Sequence, residues 1–262
     1  MIRQTGISKD KILSYTKGQD IKDRLIIYDI IDSTNNVAKT MIRDGAENRT
    51  IIVSNEQTAG RGRLGRNFYS PKDSGIYLSY ILKSDIPLEK IVYITTAASV
   101  AVARAIEKVC GIYPRIKWVN DLYLQGKKVC GILTEAVQTA DGRLNGVVVG
   151  VGINCSSVFP SELEEIAGNI PMTDDDIKNR LVYELILNLD CLEDMLNSGE
   201  YIGEYRENSI VLGKWIRILN EENSEYFVED IGNLGELIIR DKLGNRRILS
   251  TGEVSIRIGE PI

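Results

Sequence analysis

The 262-residue chain has no histidine. That single absence removes the commonest general base and the commonest catalytic metal ligand, so any chemistry here runs without imidazole. Cysteine is scarce and scattered: Cys110, Cys130, Cys155 and Cys191 form no Cys-x-x-Cys pair, which argues against a zinc cluster and for reduced, buried thiols. No stretch reaches the roughly 18 uncharged apolar residues of a membrane span. Met1-Ile2-Arg3-Gln4-Thr5 lacks the apolar core of a signal peptide, so a cytoplasmic location is expected. There is no internal repeat and no low-complexity segment. A net charge of -5 argues against a protein that coats nucleic acid, though a local basic patch survives within that average. What remains is an ordinary hydrophobic fraction, 43%, enough to bury the core of one large domain and a small one.

Apolar, β-branched residues from Leu25 to Ile31 predict a strand. It leads into Asp32-Ser33-Thr34-Asn35, whose short polar side chains suit a helix N-cap. The helix that follows places Val37, Ala38, Met41 and Ile42 on one face and closes at Gly45. Strands are expected over 51–55 and 76–82. A helix opened by Pro87 carries Ile91, Thr95, Ala98, Val102, Ala105 and Val109 on one stripe. Further strands are expected over 115–118, 122–124, 128–136 and 147–153, with Gln125-Gly126-Lys127 as a tight turn. Hairpins interleaved with two helices give an α+β class, a mixed β-sheet flanked by helices. Thr173-Asp174-Asp175-Asp176 starts another helix, whose stripe of Leu181, Leu185, Leu189, Leu192 and Leu196 reads as core packing. Short strands around 215–219, 226–231, 234–240, 246–250 and 254–258 suggest a small C-terminal SH3-like β-barrel. The expected units are therefore 1–210 and 211–262.

Three clusters stand out as chemistry. Gly60-Arg61-Gly62-Arg63-Leu64-Gly65-Arg66 alternates glycine with arginine, so backbone can fold closely while guanidinium forks converge on a carboxylate or phosphate. Composition alone also allows a mobile RGG-like segment that contacts nucleic acid, but catalytic loops commonly hang from rigid strand ends such as the one before Gly60. Lys117-Trp118-Val119-Asn120-Asp121 with Lys128 brings amines, an amide and a carboxylate into one hairpin unit, fit to grip phosphate and a divalent ion. Alone, Asn120-Asp121 reads equally as a surface turn. Gly150-Val151-Gly152-Ile153-Asn154 puts small residues at a strand end, leaving room for a flat ligand, and lacks the third glycine of a dinucleotide fingerprint.

In order and rough spacing, Asp-Ser-Thr-Asn, Gly-Arg-Gly-Arg-x-Gly-Arg, Lys-Trp-x-Asn-Asp and Gly-x-Gly-Ile-Asn resemble the biotin protein ligase family over essentially residues 25–262. Val119 departs from it where many members carry proline. The resemblance implies the biotin/lipoate ligase-like fold and an enzyme that uses ATP and Mg2+ to convert biotin to biotinyl-5′-AMP. The biotin then passes to a lysine of a biotin carboxyl carrier protein. It implies a biotin site formed by Ser33, Thr34, Asn35, Gln57, Gly60, Arg61, Arg63, Lys128, Gly131 and Gly152. It implies an ATP site of Arg61, Arg63, Arg66, Phe68, Lys117, Asn120, Asn154 and Arg257. Arg63, Lys128 and Asp121 would be catalytic, with magnesium near Asp121. A side-by-side homodimer at a sheet edge is a further implication. Two rivals belong to the same neighbourhood. A lipoate ligase is disfavoured because the Arg-Arg-x-x-Gly-Gly-Gly segment of those enzymes is missing. A biotin-responsive DNA-binding repressor is disfavoured because the residues before Leu25 are too few for a winged helix-turn-helix. No specific DNA partner and no membrane partner are therefore expected.

Overall fold

A computed structural model describes residues 6–16, 21–83, 91–219, 221, 225–250 and 254–256. Pro87 and Arg257 lie outside the described residues.

Seven strands form the main sheet: β1 (Leu25–Tyr28), β2 (Ile51–Ser54), β3 (Gly75–Leu82), β4 (Arg115–Lys117), β5 (Asp121–Leu124), β6 (Lys127–Gln138) and β7 (Leu144–Asn154). Their order is β1-β2-β3-β7-β6-β5-β4. β1 and β2 run parallel and every other neighbouring pair is antiparallel, so the sheet is mixed. Between β5 and β6, Gln125 and Gly126 both take left-handed backbone, φ 50° and 78°, the two-residue turn that matches strand twist.

Helices cover both faces: α1 (Lys9–Ser14), α2 (Thr34–Arg43), α3 (Ile91–Cys110), α4 (Ser161–Glu164), α5 (Ile177–Asp190), α6 (Leu192–Ser198) and α7 (Tyr201–Glu207). The period of two along each strand sorts the core into two layers. Ile52, Ile81, Val137 and Val148 pack with Ala38 and Ile42 of α2. Their neighbours Ile51, Val53, Tyr80, Val147 and Val149 belong to the larger cluster shared with α3 and α5. Because both faces are covered, β2 and β3 are buried along their whole length.

Two helical expectations are corrected. α3 is buried on nearly every side, with Ala97, Ala98, Val100, Ala101, Val102, Ala103, Ala105 and Ile106 all inaccessible, because it is sandwiched between the sheet and a layer of α5, α6 and α7. The leucine stripe is shared by two helices. α5 ends at Asp190, Cys191 is its C-cap, and Leu192 starts α6, so the apolar face continues across a break. Among the described residues no helix is long and apolar enough to cross a membrane.

The second sheet holds β8 (Trp215–Ile218), β9 (Glu225–Ile231), β10 (Leu237–Arg240), β11 (Arg246–Leu249) and β12 (Val254–Ile256), ordered β11-β10-β9-β8-β12 and antiparallel throughout. This is the small SH3-like C-terminal unit. Leu234 sits in the turn before β10, not in a strand, since Gly235 next to it has φ 79°. That turn docks on the larger unit, where Trp118 Nε1 donates to the Gly235 carbonyl at 2.8 Å.

Candidate functional site

An open cleft lies on the α2 side of the main sheet. Strand alternation explains why it is there. On β7 the residues facing α2 are Val148, Gly150 and Gly152, so a packed position is followed by two without side chains. Gly131 of β6 pairs directly with Gly152, which makes a floor of bare backbone two strands wide.

The protein's own side chains approach that floor. A Cβ on Gly150 would fall 2.2 Å from Asn35 Oδ1, and one on Gly152 would fall 2.6 Å from Phe68 Cε1. The glycines therefore admit Asn35 and Phe68 close against the backbone. Asn35 is fully engaged: Oδ1 accepts from Ser79 Oγ at 2.6 Å, and Nδ2 donates to Glu135 Oε2 at 2.8 Å and to the Leu133 carbonyl at 3.3 Å.

One end of the cleft is polar and neutral. Ser33 occupies the N-cap position of α2, but its side chain makes no capping bond. That task falls to Gln57, whose Oε1 accepts from Thr34 N at 2.8 Å and Thr34 Oγ1 at 3.2 Å. Gln57 Nε2 in turn donates to Ser70 Oγ at 3.0 Å. Ser33, Thr34 and Gln57 all line the cleft, and the buried Ser33 hydroxyl is not committed to the helix.

The arginine segment is a tight hairpin. Gly62 N donates to Arg66 O at 2.7 Å, Phe68 N to Gly60 O at 2.9 Å, and Arg61 bridges Asn67. Gly60 is required by close approach, since its Cβ would stand 2.4 Å from the Phe68 carbonyl. Arg61, Arg63 and Arg66 all line the cleft, with different partners. Arg63 Nη1 donates to Asn120 Oδ1 at 3.1 Å. Arg61 Nη1 donates to Asn36 Oδ1 at 3.0 Å, and its Nη2 lies 3.4 Å from Glu135.

At the charged end, Lys128 Nζ and Asp121 Oδ1 are 2.7 Å apart. The approach lacks hydrogen-bond geometry, so Asp121 Oδ1 is buried with no hydrogen-bond donor of its own. Asn120, held by its Nδ2 donating to the Ile132 carbonyl at 2.9 Å, sets the start of β5. It follows a cis peptide between Trp118 and Val119.

Two expected site residues have side chains outside the cleft lining. Lys117 is outside the cleft lining and sits 5.7 Å from the centre of the Tyr123 ring, whose phenol is pushed up to about 12 by burial and then by the Asp121 charge. Asn154 spans backbone, donating to Gly168 O at 3.1 Å and Lys128 O at 3.4 Å. Arg257 is outside the described residues. Conversely, Glu135 and Asn36, which hold Arg61, were not singled out in the sequence. An acid on the α2-facing parity of an apolar strand is the signal that marks Glu135.

Residues 27–154 match the model of the biotin/lipoate A/B protein ligase family. A bifunctional ligase/repressor BirA of Bacillus spizizenii is 40% identical over 174 residues, which cover 65% of this chain and 53% of that protein. The chain thus spans about half the length of the first curated relatives it matches. A biotin--[acetyl-CoA-carboxylase] ligase of Mycobacterium tuberculosis is 27% identical over 85% of each protein. Among solved structures, the biotin protein ligase of Aquifex aeolicus in complex with biotin and ATP superposes with a TM-score of 0.73 at 25% identity, over 89% of this chain and 98% of that one. The ligase-family match spans α2, the arginine hairpin, the glycine floor and the Lys128–Asp121 pair, so the cleft and the shared region coincide.

Proposed function

We propose that the chain is an ATP-dependent biotin–protein ligase that forms biotinyl-5′-AMP and passes biotin to a lysine of a biotin carboxyl carrier domain. The observation that carries this reading is the layout of one cleft: a neutral hydrogen-bonding end, a glycine floor, and an end bearing Arg63, Lys128 and Asp121. Biotin offers a polar ureido ring, the sulfur-containing ring fused to it and, at the end of an alkyl chain, a carboxylate, in that same sequence. In this reading Ser33, Thr34 and Gln57 meet the ring. The glycine floor takes the bicycle beside the Phe68 ring, which itself lies on Gly152, and Lys128 and Arg63 meet the carboxylate and the α-phosphate.

The first step forms a carboxylate–phosphorus bond and releases pyrophosphate. Its nucleophile is a carboxylate with a reference pKa of about 4, already ionised at neutral pH, so no general base is needed and a histidine-free site suffices. The site must offset the repulsion between two anions, which Arg63, Arg66 and Lys128 do. Magnesium arrives with the nucleotide as substrate. Among the described residues no group of three or more metal-ligating side chains exists, and the Asp121 carboxylate, paired here with Lys128, would be the protein group to meet the ion alongside the nucleotide phosphates. The second step requires an acceptor ε-amine, reference pKa about 10.4, to lose a proton. Asp121 accepts it, and the amine then displaces AMP from the mixed anhydride.

The reading includes a catalytic unit at 1–210, an SH3-like unit at 211–262, a cytoplasmic location and no specific DNA partner. It also includes a homodimer through the outer edge of β6. Among the described residues, the pairing of β5 with β6 ends at Gly131, whereas β7 accompanies β6 to Gln138. The deciding experiment incubates the protein with biotin, MgATP and a carrier domain and weighs the carrier. A biotin-sized mass gain at the acceptor lysine is expected, and none with lipoate in place of biotin. No gain with biotin would remove the proposal, and a gain only with lipoate would replace it.

A further inference from the structure

We propose that Glu135 is the latch of the arginine hairpin, a positioning residue that holds the hairpin over the cleft through Arg61. The proposal rests on the ligase reading only for what the hairpin covers; the latch itself is read from the protein's own contacts.

Glu135 lies on the part of β6 that points at α2, half-buried and surrounded by donors. Asn35 Nδ2 is 2.8 Å from Oε2, Lys39 Nζ 3.0 Å from Oε1, and Arg61 Nη2 3.4 Å from Oε1. Burial alone would raise its carboxyl, but the hydrogen bonds from Asn35 and Lys39 and the charges of Lys39 and Arg61 outweigh that and hold it below the ordinary carboxylate range. Two of these partners belong to α2 and are fixed to the sheet side. Arg61 alone comes from the hairpin, and Asn36 of α2 grips the same guanidinium.

A force applied at Arg61 reaches the whole hairpin. Arg61 bridges Asn67 across it, and Phe68 N is bound to Gly60 O, so fixing Arg61 also fixes the ring over Gly152. The arginines therefore divide their labour. Arg61 shares the Glu135 carboxylate with Lys39, whereas Arg63 reaches inward to Asn120 at the end where the anions would react.

Trypsin tests this directly, because the hairpin carries its own cleavage sites at Arg61, Arg63 and Arg66. In ligand-free protein, Glu135→Gln should be cut there about five-fold faster than the parent, the scale of one partly exposed ion pair. Added salt should accelerate cleavage of the parent but not of Glu135→Gln, a response that a loss of packing would not produce. Asn36→Ala, which leaves the carboxylate intact, should also raise hairpin cleavage, with cutting elsewhere unchanged. Unaltered hairpin cleavage in Glu135→Gln, or a salt response in Glu135→Gln equal to the parent's, would overturn the latch. A protein that fails to biotinylate a carrier yet shows these cleavage patterns would sink the ligase reading and leave the latch standing.

Discussion

Lys128 and Asp121 face each other at 2.7 Å at the end of the cleft where charge has to be managed. Removing the ammonium leaves Asp121 without its counter-charge and leaves a developing phosphoryl charge with fewer donors. For Lys128→Ala we expect biotin-dependent pyrophosphate exchange to fall by roughly 10²–10³-fold, the loss typical of one preorganised electrostatic group. Exchange at the parent rate would refute the assignment. Glu135 gives a pH prediction. Its carboxyl is held below its usual value, so its stabilising effect is complete above the unfolded value of about 4.3 and is lost as pH falls through the folded one. Acid unfolding of the parent should therefore include a step that is absent in Glu135→Gln, as read by circular dichroism between pH 5 and pH 2. Which residue types the site uses was legible in the sequence, because charge and glycine clusters are local. Where each side chain turns was not. Lys117 and Lys128 look alike in a string of letters, and only the folded hairpin shows that Lys117, opposite Asp121 in the β4–β5 register, turns its ammonium onto the diagonal Tyr123 ring and stays outside the cleft lining.

At the scale of the element, the arginine hairpin is set by tight contacts. Gly60→Ala would drive a methyl group into the Phe68 carbonyl at 2.4 Å, and backbone cannot yield as a side-chain tip can. A cost of about 1–3 kcal/mol is expected, taken by opening the hairpin. Faster tryptic cleavage at Arg63 with an unchanged melting temperature for the rest of the molecule is the predicted result; a parental cleavage rate would contradict it. Leu64, at φ 54° with its side chain exposed, is a second strained point in the same turn. The strands were legible because β-branched runs bounded by turn residues have few other uses, and Gln125-Gly126 announced its hairpin by composition. The break at Cys191 was not, since a leucine stripe keeps its phase whether one helix or two carry it. α7 was also missed: it is short, it contains Gly203, and its burial of Tyr201 and Tyr205 comes from contact with α3.

The two units of the molecule meet at Trp118, which is buried and donates to the Gly235 carbonyl. A second tie runs from Arg206 Nε to the Ile231 carbonyl at 2.5 Å. Trp118→Phe keeps most of the ring and deletes the donor, leaving a buried carbonyl unpaired. We expect a loss of about 1 kcal/mol and a fall in melting temperature of roughly 2–4 °C. A calorimetric trace identical to the parent's would show that the seam is held by something else. This seam could not be read from the sequence, because its two halves are remote in the chain and each is unremarkable alone. Its position has an optical consequence. The protein has two tryptophans, Trp118 at the seam and Trp215 in the C-terminal sheet beside Phe227. Trp215→Phe would leave a single emitter, shielded from water and two residues from Asn120, so its emission wavelength and quenching would report any movement of the charged end of the cleft without an added dye.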